Sequence, residues 1–125
     1  MDTENLLECY VNLKREMETY MKYLDAWDKK VAIWGASHQG FTLAATTKLG
    51  EKARYIIDSA PFKQGKFAPA SHLPIVGPDH FHEHPVDAII ITAPGYTDEI
   101  AASIRQKFGT SVEIRAMRSN HLEMV

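Results

Sequence analysis

The sequence predicts an α/β fold: a long opening helix, then about four parallel strands with helices on both faces. Three observations carry this. Apolar residues recur at helical spacing up to Trp27, and short apolar runs then alternate with helical patterns. A glycine-bearing loop, Gly35 to Gly40, stands between the first such run and the helix after it. Repetition of strand, helix and strand implies right-handed crossovers and a parallel sheet, a Rossmann-like build. At 125 residues the chain is long enough for one domain and too short for two.

The opening helix is read from Leu6, Tyr10, Leu13, Met17, Tyr20, Leu24 and Trp27, which alternate steps of four and three; Leu7, Val11 and Met21 widen the stripe. Asp2 or Thr3 can cap it. Glu4 and Glu8 suit the positive end of its dipole, and Lys29 and Lys30 the negative end. About 24 helical residues reach ~36 Å, whereas a five-residue strand spans only ~17 Å. One end should therefore overhang the sheet with its stripe unpaired, which predicts a homodimer through this helix or a neighbouring domain against it.

The first strand runs from Val31 to Trp34. GASHQG then leads into a helix through Phe41, Leu43, Ala44, Thr47 and Leu49, which Gly50 should end in the left-handed position. Arg54 to Asp58 is the second strand. A loop over residues 59–72, rich in Pro, Gly and Ser, precedes a short extended piece, Leu73 to Val76. Pro78 and Asp79 open a single helical turn. Val86 to Thr92 is a continuous apolar run suited to the middle of a parallel sheet. Pro94 and Gly95 break it, Asp98 to Phe108 is helical, and Val112 to Met117 is the last strand. Residues 118–125 read as a polar tail, so the single domain divides into a helix (1–29), a core (30–117) and a tail.

Bulk properties narrow the function. The formal net charge is −2 and no block of like charges is present, which argues against nucleic acid or an anionic membrane as partner. No apolar run approaches the ~18–20 residues that cross a bilayer. The acidic, polar opening is unlike a secretory signal. The lone cysteine, Cys9, excludes an internal disulfide framework and fits a reducing cytoplasm; nothing beside it in sequence would lower its pKa, so it reads as an inert helix residue.

In a parallel sheet of this kind, ligands sit beyond the carboxyl ends of the strands. Residues 35–40, 58–65 and 93–96 would line that crevice. Gly35, Ala36, Ser37, His38, Gln39 and Gly40 spell G-x-S-x-x-G, one substitution from the dinucleotide fingerprint. Gly35 would make the tight turn and Gly40 would let helix and strand approach. Ser37 occupies the space where a pyrophosphate lies against bare backbone, which argues against an ordinary NAD site. The amides opening the next helix can still hold a phosphate or carboxylate; the competing reading is a plain turn with Ser37 as N-cap.

Asp58 lies 18 residues after Gly40, near where an acidic residue grips a ribose hydroxyl. His38, at a helix N-terminus, is a neutral hydrogen-bonding group or an exposed turn residue. Lys63 and Lys66 could meet a phosphate as point charges. Tyr96, after Pro94 and Gly95, could stack on a base or pack on its own helix. His80, His82 and His84 alternate as metal ligands do only in extended chain, and the helical turn expected there argues against a metal site.

These loops resemble the C-terminal domain of the sugar C-methyltransferases. The resemblance runs through VAIWGASHQG, IIDSAPFKQGKFAPASHLPIVGPD and TAPGYTDEI, and covers residues 10–117. Its most specific string is formed by Asp58, Pro61, Lys63, Gln64, Gly65, Pro69, His72, Pro74 and Ile75. The resemblance implies sugar-nucleotide handling by Gly35, Ala36, Ser37, Lys63 and the Pro94–Tyr96 turn. Ala70 stands where the family usually has glycine, and Pro94-Gly95 where it usually has Trp-Asn. The resemblance does not extend to the family's zinc-binding cysteine-rich region or to the part that binds S-adenosylmethionine. That cofactor is therefore expected only through a partner methyltransferase domain or subunit. A weaker resemblance, through the glycine loop, Asp58 and Leu-Pro-Ile-Val-Gly, is to the small domain that precedes the β-helix of sugar O- and N-acyltransferases. Both imply a nucleotide-sugar ligand. The alternatives are a piece or subunit of a complete S-adenosylmethionine-dependent C-methyltransferase, and a non-catalytic assembly domain.

Overall fold

The predicted apolar stripe forms one helix, α1 (Thr3–Ala26), in the computed structural model. The structure describes residues 3–93, 95–117 and 122–125, with side chains from residue 11 onward. Cys9 and the Leu6, Leu7 and Tyr10 positions of the stripe thus lie outside the described side chains, as do Asp2 and Pro94. Among the described side chains of α1 the first buried one is Met17, followed by Tyr20, Met21 and Leu24. Before it Leu13 is only half-buried and Val11 is 50% exposed. Trp27 departs from the expected stripe. It falls in the turn after the helix and is 69% exposed, because Asp28 takes a left-handed φ of 52° and the Lys29 amide returns to the Leu24 carbonyl at 2.8 Å. Lys29 likewise lies past the helix end; its ammonium donates to the Tyr23 hydroxyl at 3.0 Å and pairs with Glu113 at 3.3 Å.

The sheet holds six strands in the order β3-β2-β1-β4-β5-β6. These are β1 (Val31–Trp34), β2 (Ile56–Ile57), β3 (Ile75–Val76), β4 (Ala88–Ile91), β5 (Glu113–Met117) and β6 (Leu122–Met124). The first five pair in parallel, and β6 runs antiparallel to β5 with Met117 opposite Leu122. Two expectations are corrected here. The sheet is wider than about four strands because the short piece at Ile75 joins its edge, and residues 122–124 of the supposed polar tail form the opposite edge strand.

Alternation along the strands feeds two cores. Val31 and Ile33 of β1 pack with Ile56, Ile90 and the α1 residues Met17 and Leu24. Ala32 and Trp34 face the other way, toward Ile57, Ile89, Ile91 and Ile104. Helices α2 (His38–Thr46) and α3 (Leu49–Lys52) join α1 on the first face, while α4 (His80–Glu83) and α5 (Thr97–Phe108) cover the second. Both faces are therefore closed, as an internal parallel sheet requires.

Gly50 also departs from expectation. It sits inside α3 rather than ending a helix, and a Cβ there would run into the Ala44 carbonyl, so the residue is selected by close approach. The preceding helix stops at Thr46; the Thr47 hydroxyl bonds back to Leu43 O at 2.6 Å, and extended backbone at Thr47 breaks the helix.

Candidate functional site

Strand order fixes where a ligand end must be. β1 continues through α2 to β2 on one side of it, while β4 lies on its other side, so the crossovers diverge beyond the carboxyl ends of β1 and β4. Gly35 leaves β1 there with φ +131°, and a Cβ would lie 2.6 Å from Thr92 Oγ1. Gly40 closes the same contact from α2: its Cβ would strike the Gly35 carbonyl and lie 2.8 Å from Thr92 Oγ1. Thr92 is fully buried after β4, and its hydroxyl faces the Trp34 and Gly35 carbonyls at 3.3 and 3.2 Å. The two glycines thus let helix, turn and strand meet around one threonine.

α2 begins without a side-chain cap, since Ser37 makes no capping bond. Its first turn closes from the Phe41 amide to Ser37 O at 2.9 Å, which leaves the amides before Phe41 without helical partners. The Ala36 amide, one residue before the N-cap, is taken. It donates to Asp58 Oδ2 at 2.9 Å, while Asp58 Oδ1 accepts from the Ala60 amide at 2.9 Å. Lys63 Nζ donates to Ala36 O at 2.9 Å and stands 3.7 Å from Asp58 Oδ2. Gln64 completes the fastening by donating Nε2 to Asp58 O at 2.9 Å, and the Gly65 amide reaches Ile75 O at 2.9 Å. The string Asp58, Lys63, Gln64 and Gly65 is thus a latch that folds the long loop back onto the glycine turn and the sheet edge.

Beside this latch lies a groove of about 470 Å³. Of the predicted site residues, Gly35, Ser37, Asp58, Lys63 and Tyr96 line it. Ala36 is buried beneath the latch, and Gly40 is buried against Thr92. His38 and Gln39 are exposed and, like Gly95 at φ +90°, are not among the described groove-lining residues. Pro94 lies outside the described residues. Tyr96 is 63% exposed at the mouth. Lys66 is exposed, and among the described residues only its backbone carbonyl is used, by the Ile75 amide at 2.8 Å.

The far wall belongs to α5, which contributes Glu99, Ile100, Ser103 and Lys107, with Trp34 and Ala93 also lining the groove. Ala93 falls in the stretch 93–96 expected to line the crevice, whereas the four α5 residues are not singled out by the sequence reading. Their signal is the spacing of Glu99, Ser103 and Lys107 by four, which places the three on one helical face.

Elsewhere the histidines separate as a helical turn requires. His80 and His84 stack at 4.7 Å, His82 packs edge-on to Phe108 at 5.7 Å, and the described residues hold no cluster of three metal-ligating side chains. A second cleft, of about 460 Å³, opens between α1 and the β5–β6 edge, where the Arg115 guanidinium lies 4.9 Å from the Tyr20 ring centre. It contains none of the predicted site residues. Among the described residues no helix is long and apolar enough to cross a membrane.

Fold and groove together define a Rossmann-like α/β domain with an open crevice at its strand ends. The chain belongs to the family of C-methyltransferase C-terminal domains, whose profile matches residues 5–113. It is 37% identical to the C-methyltransferase NovU of Streptomyces niveus over 73 residues, which are 58% of this chain and 17% of that protein. The matched stretch is thus a small part of its curated relative's length. In solved structures the fold is similar to that of UDP-D-quinovosamine 4-dehydrogenase from Vibrio fischeri. That match has a TM-score of 0.60 at 19% identity and covers 78% of this chain and 93% of that one.

Proposed function

We propose that this domain holds a nucleotide-linked sugar in the groove beside Gly35 and Ser37, and presents it to a methyl-transfer domain or subunit. The observation that carries this reading is the groove itself: about 470 Å³ of open space where the crossovers diverge, beside a helix whose first amides are uncapped. Those amides and the helix dipole favour a phosphate. The Lys63 ammonium has three N–H donors and spends one on Ala36 O, so two remain for a phosphate oxygen without breaking the latch. Tyr96 offers an exposed ring on which a base or sugar can stack. Membership of the C-methyltransferase family favours a sugar-nucleotide among phosphorylated ligands. The chain is not assigned catalysis on its own, and S-adenosylmethionine belongs to the partner.

Calorimetric titration of the chain with dTDP-, UDP-, GDP- and CDP-sugars, beside NAD and S-adenosylmethionine, tests this. Saturable binding of at least one nucleotide-sugar, with neither NAD nor S-adenosylmethionine bound, is the expected result. Absence of binding by every nucleotide-sugar at millimolar concentration would remove the proposal.

The sparse burial of residues 11–16 of α1 favours an assembly role beside ligand binding. Among the described side chains, residues 11–16 include no buried one: Leu13, one turn before Met17 on the same face, is only half-buried, and Val11 is 50% exposed. We infer a homodimer through α1, which light scattering reads as twice the 14.1 kDa chain mass; a monomeric mass would count against it.

A further inference from the structure

We propose that Glu99 and Ser103 on α5, rather than Asp58, receive the sugar-ring hydroxyls of the bound ligand; this rests on the nucleotide-sugar reading of the groove. A carboxylate is the natural acceptor for ring hydroxyls, and the groove holds two. Asp58 is spent. Each of its oxygens accepts a backbone amide at 2.9 Å, Lys63 stands 3.7 Å away, and its side chain is only 17% exposed. The lone pair left on each oxygen is shielded by those amides and by Lys63, so a ligand hydroxyl would meet little open carboxylate there.

Glu99 is in the opposite condition. It is exposed on the groove wall, and among the described residues its carboxylate has no ion pair and no hydrogen-bond partner. It sits in the first turn of α5. Ser103 lies one turn further along the same wall and is half-buried. The hydroxyls of Thr19, Thr46 and Thr47 bond back to the carbonyl four residues earlier, as helical hydroxyls commonly do. Ser103 makes no such bond among the described residues and keeps both donor and acceptor for the groove. A carboxylate and a free hydroxyl at i and i+4 sit about 6 Å apart, within reach of neighbouring hydroxyls on one ring. The ligand would then lie along α5, with its diphosphate toward Ser37 and Lys63.

The sign of the effect makes a clean test. Glu99 is an anion beside a site for an anionic ligand, so on charge alone its removal leaves binding unchanged or tightens it. A hydroxyl bonded to a carboxylate predicts the reverse, because losing a charge-assisted bond weakens binding about tenfold or more. Calorimetry of the whole chain and its Glu99→Ala and Ser103→Ala variants should use UDP-glucose, UDP and dTDP. Weakening of UDP-glucose alone would assign the pair to the hexose. Weakening of UDP-glucose and UDP, but not of the 2′-deoxy ligand dTDP, would assign it to the ribose. Either result supports the proposal. Binding of UDP-glucose and UDP by Glu99→Ala as tight as wild type, or tighter, overturns it while leaving the nucleotide-sugar site standing. Failure of the wild-type chain to bind any of the three, and equally any of the GDP- and CDP-sugars, overturns both. Thermal unfolding of each variant verifies that the readout comes from folded protein.

Discussion

Asp58 Oδ2 accepts the Ala36 amide at 2.9 Å, so the carboxylate after the second strand is fastened to the turn after the first. The same side chain takes the Ala60 amide, and two backbone N–H bonds to an ionised acceptor rank among the stronger hydrogen bonds in proteins. Asp58→Asn keeps one acceptor oxygen and Asp58→Ala keeps none. The expected losses of stability in urea are about 1–2 and about 2–4 kcal/mol respectively. Equal losses for the two variants would show that the second amide bond contributes nothing.

Gly40→Ala sets two effects against each other. Alanine gains about 1 kcal/mol of helix propensity, while its Cβ meets the Gly35 carbonyl and Thr92 Oγ1 at 2.8 Å. The hydroxyl can turn, but the carbonyl belongs to the backbone of the glycine turn. Overpacking of about 1–3 kcal/mol should therefore win. The variant is expected to lower the urea midpoint, and a raised midpoint would mean that the contact relaxes freely.

Ala70 takes φ +65°, in the region where a Cβ crowds the backbone. Ala70→Gly should stabilise by about 0.5–1 kcal/mol, the relief of left-handed strain exceeding the added freedom of the unfolded chain. Denaturant titration reads this directly; a loss of stability would place the strain elsewhere in the loop.

Glu113 carries a pH signature. Burial raises its pKa, but the Tyr23 hydroxyl at 2.7 Å, the bond and charge of Lys29, and the charge of Arg115 outweigh this and hold it below the usual carboxylate value. A depressed folded pKa adds stability above the unfolded value, which is lost as pH falls through the folded one. Glu113→Gln should therefore be less stable than wild type at neutral pH, with the gap narrowing toward about pH 3. Urea midpoints across that range provide the measurement, and a constant gap would show that the carboxylate's charge is not the source.

Much of the fold could be read before any coordinates, for physical reasons that also explain the misses. α1 and β4 announce themselves through long unbroken periodicity, and Gly35 and Gly40 through a spacing that close helix–strand approach demands. β6 escaped because three residues, one of them charged, have too little pattern to distinguish a strand from a tail, and only pairing with Met117 makes them one. Thr92 reads as the end of an apolar strand; that two glycines crowd its hydroxyl depends on contacts between distant segments. Asp58 was visible as a site residue, but its partners are backbone amides, which leave no trace in a sequence. Glu99, Ser103 and Lys107 look like the solvated face of any amphipathic helix until the groove is seen to run beside them.

The latch has one further consequence. Residues 58–65 are ordered by the chain's own hydrogen bonds, so one wall of the groove is built at folding, independently of any ligand. A receptor stiffened in advance loses little freedom when it is filled, and the conformational entropy that a floppy loop would surrender on association is absent from the encounter. Capture should then resemble docking onto a rigid shelf, with the heat-capacity change of the ligand's own buried surface and no excess from coupled folding.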